Sequence, residues 1–79
     1  MRKVETFKTQ ESTTHTYECN IDASMVDVEI EHYHARDTFE FTVYGGFDHG
    51  DGEAYYSLRD CKNAASEFTK SLQPEKTSR

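Results

Sequence analysis

Apolar and polar residues alternate with a period of two through most of the first half of the chain. Between Thr13 and Ile21, Tyr17, Cys19 and Ile21 fall on one side and Thr14, Thr16, Glu18 and Asn20 on the other. The pattern sharpens from Met25 to His34, where Val26, Val28 and Ile30 oppose Asp27, Glu29 and Glu31. It returns from Thr38 to Tyr44, with Phe39, Phe41 and Val43 against Glu40 and Thr42. A pleated strand turns successive side chains to opposite faces, so alternation carried by β-branched and aromatic residues predicts half-buried antiparallel strands. Asp22-Ala23-Ser24 and Ala35-Arg36-Asp37 are short polar joints that suit hairpins. Lys3 to Phe7 offers a weak edge strand and Glu53 to Tyr56 a short fourth strand. All four glycines lie between Gly45 and Gly52, which predicts a long, mobile loop.

The period changes at Ser57. Leu58, Cys61, Ala65, Phe68 and Leu72 recur at helical spacing and form one apolar stripe. Ser57 is a good N-cap with Asp60 three residues later, Lys70 complements the far end of the helix dipole, and Pro74 stops the helix. Strands first and one helix last predict an α+β fold, an antiparallel sheet of three to four strands packed against one C-terminal helix. With 79 residues there is room for one core, so the expectation is a single domain over 1–79 with a frayed start (1–10) and a frayed tail (74–79).

Charge changes the picture of the sheet's other face. Eleven of the fifteen acidic residues lie between Thr9 and Leu58, where Arg36 is the one base. Alternation turns Glu18, Asp27, Glu29, Glu31 and Glu40 away from the helix, together with Tyr33 and Tyr44. A solvated sheet face ordinarily mixes in lysine, and this one does not. Such a field repels nucleic acid and anionic lipid and attracts a basic protein surface. The seven residues are therefore the expected partner-binding set, the carboxylates steering and the tyrosines anchoring. Direct nucleic-acid and membrane binding are not expected. No apolar run suggests a leader or a membrane span, and Cys19 and Cys61 lack the dense spacing of a disulfide framework, so a cytoplasmic location with reduced thiols is expected.

Other chemistries find less support in the residues. His32 and His34, two apart, point to the same side of a strand, and with His15 and Cys19 nearby they make up a nitrogen and sulfur set that zinc accepts. No Cys-x-x-Cys or His-x-x-x-His spacing accompanies them, and Cys19 fits the core as a small hydrophobe. Asp48, Asp51 and Glu53 miss the spacing of a calcium loop. Cys61 sits on the apolar stripe, which suits packing better than reactivity. No nucleophile motif orders the serines, histidines and acids, and neither an enzyme nor a bound metal or cofactor is expected.

The acid alternation Asp27-Val28-Glu29-Ile30-Glu31, the solitary Arg36 and the lack of a catalytic motif give the chain a family look. It resembles the small acidic proteins that bacteriophages use against host defences, such as anti-CRISPR proteins. That resemblance implies an inhibitor, anti-CRISPR-like or a nucleic-acid mimic, docked on a basic nucleic-acid-handling protein in the host cell cytoplasm. Two other classes compete with it: a small metal-binding or redox domain using His32, His34 and Cys19, and a structural or assembly subunit pairing through a sheet edge.

Overall fold

The structure is a computed structural model that describes residues 1–21, 24–44 and 48–71. Its strands are β1 (Arg2–Lys8), β2 (Ser12–Ile21), β3 (Ser24–Tyr33), β4 (Thr38–Tyr44) and the two-residue β5 (Asp48–His49); one helix follows, α1 (Leu58–Ser71). The sheet is antiparallel and runs in chain order, β1-β2-β3-β4-β5. It is the expected α+β arrangement, four substantial strands and a single C-terminal helix.

Register explains the core. In an antiparallel ladder, directly opposed residues share a face. Tyr17 opposes Val28, which opposes Val43; His15 opposes Ile30, which opposes Phe41; Cys19 opposes Val26. These rows make the inner face, and α1 lies across β2, β3 and β4 on that side. Val28, Ile30, Cys61 and Ala65 have no exposed surface, and Val43, Tyr17 and Phe41 are nearly as buried. Burying a Val or Ile side chain contributes about 1.5–3 kcal/mol, so this small set supplies much of the stability.

The helix begins where Ser57 predicts. Ser57 Oγ accepts the Asp60 amide at 3.0 Å and satisfies one of the first-turn donors. Cys61 and Ala65 are its buried positions, but Thr69 completes the row in place of Phe68. Thr69 Oγ1 donates to the Ser66 carbonyl at 2.8 Å, which lets a hydroxyl sit in the core. Leu58 and Phe68 are only partly buried against the core, Phe68 with its ring 5.3 Å from that of Phe41. Leu72, Pro74 and the tail 74–79 lie outside the described residues, as do Asp22, Ala23 and Gly45 to Phe47.

The two ends of the sheet differ from the sequence pattern. The weak edge strand expected over Lys3 to Phe7 is present as β1, so residues 1–10 are not frayed throughout; it pairs with β2 from Arg2↔Glu18 to Lys8↔Thr13 with a register shift between Lys3 and Glu5. At the opposite edge the expected strand at Glu53–Tyr56 is reduced to one bridge, in which Phe39 and Tyr55 exchange backbone bonds of 2.8 Å. β5 pairs with Val43 and Tyr44 on the same edge. Between them Gly50 passes so close that a Cβ there would lie 2.7 Å from the Phe41 carbonyl oxygen, so only glycine fits. The β4 edge is thereby covered, while among the described residues no strand pairs with the outer edge of β1.

The β3–β4 joint also tightens. Asp37 takes the left-handed conformation (φ 55°), its amide donating to the Tyr33 carbonyl at 2.8 Å and its carboxylate 2.8 Å from His32 Nε2. The His34 amide reaches the Glu11 carbonyl at 3.0 Å and ties this tip to the β1–β2 turn, where Thr9 Oγ1 accepts the Glu11 and Ser12 amides.

Candidate partner-binding face

The register that places the core on one side puts all seven expected site residues on the other. Reading across β2, β3 and β4, the rows are Glu18, Asp27 and Tyr44; Thr16, Glu29 and Thr42; Thr14, Glu31 and Glu40; Ser12, Tyr33 and Thr38. No described element covers this face, because α1 packs on the other one. Down β3 the side chains of Asp27, Glu29 and Glu31 follow at about 6.8 Å intervals, twice the rise per residue.

Two of the rows oppose like charges directly: Glu18 against Asp27, and Glu31 against Glu40. Opposed side chains on neighbouring strands stand with Cβ atoms about 4.5–5.5 Å apart, and like charges there destabilise a sheet. Two arginines relieve the ends. Arg2 from β1 ion-pairs with Glu18, and Arg36 Nη2 stands 3.9 Å from Glu40 Oε2. Asp27, Glu29 and Glu31 have no cation within ion-pair distance among the described residues. The negative charge of the face is thus concentrated on its central strand.

Tyr33 and Tyr44 are tied to this row. Tyr33 donates to Glu31 Oε1 at 3.2 Å and Tyr44 to Glu29 Oε1 at 3.3 Å, while Ser12 Oγ donates to Glu31 Oε2 at 2.7 Å. Burial first, and then the Glu31 carboxylate, raise the Tyr33 phenol above its usual range. The Arg36 guanidinium stacks over the Tyr33 ring at 4.6 Å. The tyrosines therefore fix the carboxylates in place, a role that alternation alone does not reveal.

The sequence pattern misses four contributors to this face from β1 and β3. Arg2, Glu5 and Phe7 reach it from β1, opposite Glu18, Thr16 and Thr14, and Met25 reaches it opposite Asn20. Phe7 and Met25 are 59% and 57% exposed, so large apolar groups border the acidic rows. The register shift at Val4 hides the β1 members, because Arg2 before it and Phe7 after it share a face although five positions separate them.

Of the histidine and cysteine set, His32 and His34 meet edge to face with ring centroids 5.3 Å apart, and Cys19 does not join them. His32 stacks on Phe39 with ring centroids 4.1 Å apart and binds Asp37. His34 has one nitrogen 2.7 Å from Thr13 Oγ1 and the other 3.2 Å from the Gln10 carbonyl. Cys19 lies against Thr69, its Sγ 3.7 Å from the hydroxyl. No group of three or more His, Cys, Asp or Glu side chains able to hold a metal occurs among the described residues. The Cys61 thiol is pushed up to about 12 by burial first, then by Asp51 and Glu40, which keeps it protonated and unreactive.

No protein-family model, curated protein or solved structure matches the chain. No described helix is long and apolar enough to cross a membrane.

Proposed function

We propose that the protein is a non-enzymatic binding protein whose open sheet face occupies a basic surface of a nucleic-acid-handling protein. This is the action of the small acidic phage-encoded inhibitors it resembles, in the host cell cytoplasm. The supporting observation is the pair of directly opposed carboxylates, Glu18 with Asp27 and Glu31 with Glu40, on the face that α1 leaves uncovered. A face evolved only for solubility gains nothing from repulsion between neighbours that a lysine would remove. A cationic partner turns the same repulsion into complementarity, and the field speeds encounter. Carboxylates repeating along β3 present the partner with a row of anions in the manner of a nucleic-acid backbone, with the Tyr33 and Tyr44 rings and exposed Phe7 and Met25 supplying contact area.

Immobilised protein and its Asp27→Lys/Glu29→Lys variant should be compared for capture from bacterial lysate. These two positions are chosen because Glu31 also holds Ser12 and Tyr33. Wild-type protein should retain nucleic-acid-binding proteins that the variant loses, and duplex DNA should displace them. Prey that both proteins retain equally would overturn the reading. A second reading, an assembly subunit, draws on the open outer edge of β1; concentration-dependent self-association that survives the charge reversal would favour it.

A further inference from the structure

The inner face of the sheet is not covered all the way across. α1 packs on β2, β3 and β4 but not on β1, whose seven residues are exposed. At this margin the buried Tyr17 carries two ammonium groups over one ring. Lys3 Nζ, from β1, is 5.9 Å from the ring centroid, and Lys62 Nζ, from α1, is 5.1 Å from it. Lys3 Nζ also stands 2.9 Å from His15 Nδ1. An ammonium can only donate, so Nδ1 accepts and the imidazole proton sits on Nε2. Burial, Lys3 and then His32 all favour the neutral ring. The cations that pair with carboxylates are elsewhere: Arg2, Arg36 and Lys70. Neither Lys3 nor Lys62 has a carboxylate within 4.0 Å among the described residues, in a chain of net charge -6.

Two ammonium groups drawn to one aromatic ring repel each other unless an anion lies between them. We propose that Lys3 and Lys62 form a binding site for a phosphate dianion, free or carried as a phosphate monoester, at the rim of Tyr17, with His15 positioning Lys3. Two positive charges balance a dianion where a carboxylate would leave one unmatched, and a phosphate monoester is largely dianionic at neutral pH. Lys3 keeps two N–H donors after its bond to His15 and Lys62 has three, a supply suited to three or four acceptor oxygens, while the Nε2–H of His15 points away from Lys3 and takes no part. The site lies on the opposite side of the sheet from the acidic rows, so it stands or falls independently of the partner proposed for them.

Melting temperature should be measured at pH 7.5 in sodium phosphate, in phenyl phosphate, and in sodium chloride of matched ionic strength. Phosphate at ten times its dissociation constant should raise it by about 5–10 °C beyond the chloride control. Lys3→Gln and Lys62→Gln should each lose that increment, and Lys70→Gln should keep it. The larger of the two phosphate shifts tells a free ion from a ligand carried on an organic group. The His15 ring resonances of the wild type and of Lys70→Gln, followed by NMR during the titrations, should move with phosphate and not with chloride. A melting shift no greater than that of chloride, or His15 resonances that neither phosphate moves, would overturn the assignment.

Discussion

Replacing Asp27 with Asn and Glu40 with Gln should stabilise the protein, because each change removes one member of a directly opposed carboxylate pair while keeping its shape. Two unit charges about 6 Å apart repel by about 0.7 kcal/mol at the dielectric of water. With a Debye length of about 30 Å at 0.01 M salt, most of that repulsion survives; at 0.15 M, where the length is about 8 Å, about half is screened. Asp27 has no cation to lose, whereas Glu40 gives up a loose contact with Arg36 at 3.9 Å, which offsets a small part of its gain. The double variant should therefore gain about 1 kcal/mol at 0.01 M salt and about half of that at 0.15 M. For a domain of this size 1 kcal/mol corresponds to about 4–8 °C in melting temperature. Thermal melts followed by far-UV circular dichroism at the two salt concentrations measure both the gain and its screening. A double variant that melts with the wild type, or below it, at low salt with an unchanged spectrum would refute the claim that these rows are strained. The case for a docking face would then lose its main support.

Three further outcomes follow from the packing. Thr38 is 8% exposed and its Oγ1 has no hydrogen-bond partner, so Thr38→Val, which keeps the branched shape and removes the stranded hydroxyl, should raise stability by about 1 kcal/mol in urea unfolding. The His15 pKa is lowered in the fold, so the unfolded chain binds the proton more readily; stability is full above about pH 6.5 and falls as pH drops through the lowered folded pKa, and His15→Gln should flatten that part of a stability-against-pH curve. Cys61, fully buried and held protonated, should label with a thiol reagent only on unfolding, whereas half-buried Cys19 should label faster in the native protein, as mass spectrometry of the two sites would show.

Much of this fold is legible in the chain because one physical rule governs β2, β3 and β4. Each strand buries one face, so alternation must hold, and Val26, Val28 and Ile30 report it directly. The N-cap at Ser57 reads equally well because its signal is local, a hydroxyl three residues from an unsatisfied amide. β1 is harder to see, since both its faces are exposed and no burial selects its residues. Its register shift at Val4 then breaks what alternation remains, which hides Arg2 and Phe7 as members of the acidic face. Thr69 escapes because its core place depends on a bond back to Ser66, and a stripe drawn from apolar residues passes it over. The acidic rows could be listed from sequence, but the opposition of Glu18 to Asp27 and Glu31 to Glu40 is a matter of register. So is the pinning of Glu29 by Tyr44, across the β3–β4 pair.

The closed β4 edge sets a limit on how copies of the chain can add to one another. A sheet with two open edges can grow without end, each new strand offering a fresh template. Here Tyr55 and β5 pair with the main chain of β4 and Gly50 lies against it, so among the described strands β1 presents the one long unpaired edge. Association through the long β1 edges therefore joins two chains, and each then turns outward only its short β5 edge. Even at high concentration, growth by edge pairing ends in a closed pair, and a filament requires the segment from Asp48 to Tyr55 to detach first.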